Sequence, residues 1–164
     1  MIDSNKHKNL LYLAYVEASQ SPDPSSQNGA LVVGRKGVAK AHNKPSIGID
    51  VNNLPVEFAE NKYVYMEHAE RGAIYAAAAS GVSTAGATMV CPWAACYDCA
   101  RGIVAAGITT LVRHAEASEL TTERWAESVK QGDVLMAAAG IEIINYSGKI
   151  GAPPVRFDKK IWNP

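Results

Sequence analysis

Residues 68–99 read HAERGAIYAAAASGVSTAGATMVCPWAACYDC, and the architecture can be worked out from this stretch in both directions. Its first part, His68–Ser80, is rich in alanine and is followed by a glycine, which is typical of a helix with a glycine stop. Thr88–Cys91 is a short apolar run and predicts a strand. Cys96–Ala106 predicts a second helix, again followed by a glycine. The stretch therefore predicts helix, strand and helix in succession, with a histidine or a cysteine at each helix start.

The same alternation continues outside this stretch. The further predicted elements are a helix over Lys8–Ser19, a hairpin of Ala30–Val33 and Val38–Ala41, a strand over Thr110–Arg113, a helix over Glu123–Ala139 and a strand over Ile141–Tyr146. Residues 43–62 have no periodicity and predict a long irregular segment, while the tail predicts no element. Alternating helices and strands predict one α/β domain over residues 1–164, with an extension from about residue 147.

The composition excludes several classes of protein. Lys and Arg number 16, as do Asp and Glu, and neither sign forms a run, so a nucleic-acid partner is not expected. The apolar stretch Leu10–Val16 is far shorter than the ~20 residues of a membrane span, and residues 1–6 have no apolar signal segment. Three cysteines, an odd number, favour a reduced cytoplasmic protein over a secreted disulfide framework. Closely spaced Cys and His then indicate metal binding or catalysis.

Cys96 and Cys99 have a spacing that suits one metal ion. Residues three apart share a helix face, and the start of a helix favours thiolates over thiols. His68 offers a third ligand from the start of the other helix, and three protein ligands leave open the fourth position that is typical of catalytic zinc. The alternative is a reduced cysteine pair that faces the core beside a surface histidine. Cys91 is interpreted as a buried apolar thiol.

Glu70 is interpreted as a group that moves protons and not as a fourth metal ligand. Zn²⁺ lowers the pKa of bound water from about 15.7 to ~7 and so provides a nucleophile at neutral pH. A nearby carboxylate can take the proton from that water, protonate a ring nitrogen and then protonate a leaving amine, which contributes roughly 10²–10⁴ in rate. Positions two apart in mid-helix point to nearly opposite sides, so Glu70 and His68 converge only if His68 lies at the first turn. Together these residues match the signature of zinc-dependent deaminases.

At these residues the sequence resembles the cytidine and deoxycytidylate deaminase superfamily, and most closely its dCMP deaminases. The similarity extends from about Leu10 to Tyr146 and includes DPSSQNGA at 23–30, HNKP at 42–45 and KYVYMEHAE at 62–70. It implies a three-layer α/β/α sandwich with a central five-stranded mixed sheet, as in cytidine deaminases.

The resemblance also implies roles for individual residues. Zn²⁺ is expected on His68, Cys96 and Cys99, with attack of a zinc-bound hydroxide at C4 and Glu70 as proton shuttle. The implied substrate contacts are Asn43 to the sugar, the backbone of Ala69 to the pyrimidine edge, Trp93 and Ala94 along the base pocket, and Ser25 and Gln27 to the sugar phosphate. A homo-oligomer is also implied, and no residue decides whether dCTP or dTTP regulates it.

Two positions depart from the family pattern. Ala95 replaces a usual proline, which we expect to change the shape of the pocket wall, and Gly72 replaces a usual asparagine, which we expect to enlarge the site. The favoured substrate is dCMP. The alternatives are 5-methyl-dCMP, dCTP, cytidine, and an adenosine or guanine type of substrate. A different class of alternative is a non-catalytic zinc-stapled binding protein, but a structural zinc has no need of Glu70.

Overall fold

A computed structural model describes residues 4–164 of the chain. Within these residues the strands are β1 (Gly29–Gly34), β2 (Gly37–His42), β3 (Lys44–Pro45), β4 (Met66–Glu67), β5 (Thr88–Val90), β6 (Thr110–His114), β7 (Glu142–Tyr146), β8 (Val155–Phe157) and β9 (Lys160–Trp162). The α-helices are α1 (Ser4–Ala18), α2 (Val56–Ala59), α3 (Lys62–Tyr65), α4 (Ala69–Ser80), α5 (Tyr97–Ala105), α6 (Ala115–Glu119) and α7 (Glu123–Ala138).

A five-stranded sheet with the order β2-β1-β5-β6-β7 forms the centre of the molecule. β1 pairs antiparallel with both β2 and β5, whereas β5, β6 and β7 run parallel to one another. The predicted mixed sheet of five strands is therefore confirmed. Two small pairs, β3–β4 and β8–β9, lie outside it.

Alternate residues of the strands face opposite layers, as the two-residue period of a strand requires. Ala30 and Val32 of β1 pack into the cluster that contains residues of α4, α5 and α7. Leu31, between them, packs into a second cluster with residues of α1. In β5, Met89 belongs to the first cluster and Val90 to the second. Helices therefore cover both faces of the sheet, which confirms the predicted three-layer α/β/α arrangement.

The tail, for which the sequence predicts no element, folds into the β8–β9 hairpin. Its turn residues Asp158 and Lys159 have φ of 48° and 65°. Two-residue hairpin turns favour positive φ and usually place Asn or Gly there, so this turn has no strong sequence signal. Residues 43–62 are mostly irregular, as predicted, with a 3-10 turn at Val51–Asn53 and the short helix α2. None of the helices in residues 4–164 is both long enough and apolar enough to cross a membrane.

Candidate active site

The three candidate metal ligands meet where the N-terminal ends of two helices lie side by side. His68 and Cys96 are the N-cap residues of α4 and α5, and both have extended backbones. His68 Nδ1 lies 3.7 Å from Cys96 Sγ and 3.5 Å from Cys99 Sγ. Ligand atoms at ordinary Zn–N and Zn–S distances in a tetrahedron are roughly 3.6 Å apart. The donor set therefore fits a tetrahedral Zn²⁺ with a fourth position left for another ligand.

The surroundings of the two sulfurs act in opposite directions on their pKa values. The hydrogen bond with Cys96 and burial raise the pKa of the Cys99 thiol above its ordinary value. A hydrogen bond from Cys99 lowers the pKa of Cys96 to about 3, and His68 acts in the same direction. Arg71 Nη1 donates to Cys99 Sγ at 3.4 Å, and Arg71 Nε is anchored on Glu67 Oε1 at 2.7 Å. A guanidinium in contact with a cysteine sulfur stabilises the thiolate that a metal requires.

Glu70 is buried in the first turn of α4 and faces the same cleft as His68 and Cys96. Because His68 caps the helix in an extended conformation, the condition for convergence of these two side chains is met. Burial raises the pKa of the Glu70 carboxyl above its ordinary value. A raised pKa suits a group that both takes and gives a proton near neutral pH.

Asn28, which the sequence argument missed, lies directly beside this carboxyl. Its Nδ2 donates to Glu70 Oε2 at 3.4 Å and to Cys91 Sγ at 3.2 Å, and it lines the cleft. Asn28 is buried, and Cys91 is buried as predicted. A buried donor at this place restrains the orientation of the Glu70 carboxyl, because a lost hydrogen bond in a dry site costs about 1–3 kcal/mol.

Three of the predicted substrate residues, Asn43, Trp93 and Ala94, line the cleft. Asn43 Oδ1 accepts from the amide of Ala69 at 2.9 Å, and its Nδ2 donates to the carbonyl of Ser26 at 3.0 Å. Asn43 therefore ties the start of α4 to the 23–28 loop. Ala69 is fully buried and its amide is already bonded to Asn43, so that N–H is not free for a pyrimidine edge.

Ser25 and Gln27 are not among the residues that line the cleft, and Ser26 and Asn28 take that place. Gln27 Nε2 donates to the carbonyl of Ser21 at 2.9 Å, and its Oε1 accepts from the amide of Arg156 at 2.9 Å. Alternate residues of an extended segment point to opposite sides, and the prediction from sequence selected the set that points away from the cleft. Ser26 and Asn28 therefore replace Ser25 and Gln27 as the residues of this loop at the cleft.

Of the two departures from the family pattern, Gly72 has a packing explanation, and nothing in the structure explains the alanine at position 95. A Cβ added to Gly72 would lie 3.0 Å from Ala41 Cβ of β2, so glycine permits close packing of α4 on the sheet. The expectation that Gly72 enlarges the site is wrong. Ala95 is fully buried, and a Cβ added to Gly132 of α7 would lie 2.8 Å from its carbonyl oxygen. The wall before Cys96 is therefore shaped by close contact with α7.

Two cations at the cleft were also missed by the sequence argument. Lys62 Nζ forms an ion pair with Asp23 Oδ1 at 2.8 Å, so its charge is largely matched. The guanidinium of the exposed Arg124 lies 5.5 Å from the ring centre of Trp125 and 5.8 Å from that of Tyr63. Among residues 4–164 the guanidinium contacts these two rings and no carboxylate. A lone arginine in a helix gives no signal in sequence.

Comparisons with known proteins agree with this geometry. The family described as "Cytidine and deoxycytidylate deaminase zinc-binding region" matches residues 4–115. Deoxycytidylate deaminase of Mus musculus is 30% identical over 160 residues, which cover 91% of this chain and 84% of that protein.

Solved structures show the same fold. Apo dCMP deaminase from the cyanophage S-TIM5 has a TM-score of 0.62 at 20% identity, covering 86% of this chain and 97% of its own. Its complex with dCMP and dUMP has a TM-score of 0.60 at 20% identity, covering 88% and 96%. A diaminohydroxyphosphoribosylaminopyrimidine deaminase/5-amino-6-(5-phosphoribosylamino)uracil reductase from Thermotoga maritima has a TM-score of 0.57 at 22% identity, covering 87% of this chain and 36% of its own.

Proposed function

The chain belongs to the cytidine and deoxycytidylate deaminase family, and from this premise we propose that it hydrolyses dCMP to dUMP and ammonia with the help of Zn²⁺. The observation that carries the proposal is the meeting of three ligand atoms, all within 4.8 Å of one another, with the buried carboxyl of Glu70 at one cleft. The name of the mouse relative favours dCMP among the cytosine compounds. A homo-oligomer, a cytoplasmic location and the division into one domain with an extension stay predictions from the sequence.

His68, Cys96 and Cys99 are the residues proposed to hold the zinc ion. When bound, the ion supplies Lewis acidity, which makes water nucleophilic at neutral pH. The protein residues supply the remaining features of the reaction. The Arg71 guanidinium stabilises the charge of the Cys99 thiolate at 3.4 Å. Asn43 fixes the helix start that carries Glu70.

Glu70 is proposed to move protons at its carboxylate oxygens. It accepts the proton of the attacking water and delivers a proton to N3 of the cytosine ring while the new C4–O bond forms. Glu70 then takes the proton of the new C4 hydroxyl and gives it to the amino group; the C4–N4 bond breaks, ammonia leaves with the bonding electron pair, and C4 becomes a carbonyl. The buried position of the Glu70 side chain, which is 3% exposed, limits proton exchange with bulk water during these steps.

A phosphate on the substrate is supported by the cation at the edge of the cleft. Arg124 lines the cleft, and within the described part of the chain it contacts aromatic rings and no acidic side chain. Guanidinium groups bind phosphate oxygens through paired N–H donors, which a nucleoside without phosphate cannot use. This contact favours a nucleotide over cytidine or deoxycytidine.

The test is turnover of purified zinc-loaded protein with dCMP, CMP, dCTP, deoxycytidine and 5-methyl-dCMP in parallel, followed by the loss of cytosine absorbance. The proposal predicts that dCMP has the highest kcat/KM of the five. A clear preference for another cytosine compound would contradict the choice of substrate. An absence of turnover with one zinc per chain would contradict deamination of cytosine nucleotides.

A further inference from the structure

The β8–β9 hairpin is joined to the loop that forms one side of the cleft. Four hydrogen bonds connect them: Gln27 N to Arg156 O at 2.8 Å, Arg156 N to Gln27 Oε1 at 2.9 Å, Asp158 N to Ser26 Oγ at 3.0 Å, and Lys159 N to Ser25 O at 2.8 Å. The loop contributes Ser26 and Asn28 to the cleft. The hairpin is thus held in a fixed position relative to the residues around Glu70.

Phe157 is the residue of the hairpin that lines the cleft. Its ring stacks on Trp93 with ring centres 4.1 Å apart and planes inclined by 23°. Both side chains line the cleft with His68 and Glu70. Trp93 is held in turn, because its Nε1 donates to the carbonyl of Gln27 at 3.3 Å. The two rings form one aromatic wall of the cleft. Trp93 comes from the segment between His68 and Cys96, whereas Phe157 comes from the hairpin.

The far side of the hairpin is anchored in the core. Val155 is 1% exposed and packs with residues of α1, and it pairs in register with Trp162. Trp162 Nε1 donates to Tyr15 Oη at 3.1 Å. A segment held both by the loop and by the core offers Phe157 as a pre-organised surface, which reduces the entropy lost when a ligand binds.

We propose that the β8–β9 hairpin is a wall of the substrate site and that Phe157 contacts the nucleoside part of the substrate. This inference rests on the proposed function, since it assumes a cytosine nucleotide as the ligand. Residues 155–162 lie outside the segment matched by the family, which ends at residue 115. The aromatic ring of Phe157 offers an apolar face to a base or deoxyribose, whereas Arg124 offers a charge to the phosphate.

The test is Phe157→Ala, measured by steady-state kinetics with dCMP and with deoxycytidine. Alanine replacement of an aromatic that contacts a base weakens binding roughly 5–150-fold, so we expect KM to rise by that factor for both substrates with little change in kcat. Phe157→Tyr keeps the ring and should restore the wild-type KM. Ile161→Ala is the matched control, because Ile161 lies on the same hairpin, is 65% exposed and does not line the cleft.

The inference is overturned if Phe157→Ala has the same KM as Ile161→Ala while it binds one zinc per chain. It is also overturned if Phe157→Ala and Phe157→Tyr are equally impaired. If the alanine variant does not fold, Phe157→Leu, which keeps most of the packing volume without the aromatic face, is compared with Phe157→Tyr in the same way. Failure of the proposed function is a different result, namely wild-type protein that does not deaminate dCMP.

Discussion

Replacement of Arg124 by glutamine removes a cation that lines the cleft and has no acidic partner among residues 4–164. The guanidinium is exposed, but it is stacked 5.5 Å from Trp125 and 5.8 Å from Tyr63, which limits its freedom. Hydrogen bonds to charged groups contribute about 1.5–3 kcal/mol, and exposed ion pairs contribute about 0.2–1 kcal/mol. An exposed but restrained arginine falls between these ranges, so we expect a loss of about 1–2 kcal/mol, or roughly 5–30-fold in kcat/KM for dCMP.

The assay is steady-state deamination of dCMP and of deoxycytidine, measured for the wild type and for Arg124→Gln. Deoxycytidine has no phosphate, so its kcat/KM is expected to be unchanged by the substitution. Arg35→Gln is the matched control, since it removes the same charge from the exposed turn between β1 and β2. An equal loss for both substrates, or an equal loss in the Arg35 variant, would refute a direct phosphate contact.

Three further predictions concern the residues around the site and in the core. Asn28→Val removes the donor to Glu70 and should lower kcat roughly tenfold with a smaller effect on KM; kinetics in which only KM changes would contradict this. Cys99→Ala should lose bound zinc and much of its thermal stability, whereas full zinc content by metal analysis would show that Cys99 is not a ligand. Burial lowers the pKa of His114, whose Nδ1 lies 2.8 Å from Tyr15 Oη, below its ordinary 6.5. The unfolded chain therefore binds the extra proton first, and the free energy of unfolding should fall as the pH drops below about 6.5. His114→Phe should flatten that part of a pH series of urea denaturation curves, and an unchanged slope would argue against the assignment.

The cysteine pair of the candidate zinc site could be predicted because its geometry is local, since residues three apart share one side of a helix. The approach of His68 to this pair depends instead on how α4 and α5 pack together, and the sequence indicates it only through the combination of the two motifs. The sequence predicts helices that begin at His68 and at Cys96. In the structure each of these residues is the N-cap, and the helix begins one residue later. The order of strands and helices follows from periodicity, because the helices pack their apolar faces onto the two sides of one sheet.

The walls of the cleft could not be predicted because they depend on contacts between distant segments. The orientation of the 23–28 loop is set by its bonds to Arg156, Asp158 and Lys159, more than a hundred residues away, and so Ser26 rather than Ser25 meets the cleft. Gly72 is explained only by how closely Ala41 of β2 approaches it. Neither contact leaves a pattern in the sequence near the residue concerned.

The most direct test of the proposed chemistry is Glu70→Gln, measured for both zinc content and turnover of dCMP. Glutamine keeps the shape of the side chain and removes its ability to carry a proton, while the three proposed ligands are untouched. We predict one zinc per chain and a kcat lower than that of the wild type by roughly 10²–10⁴. A variant that binds zinc and deaminates dCMP at the wild-type rate would contradict this prediction.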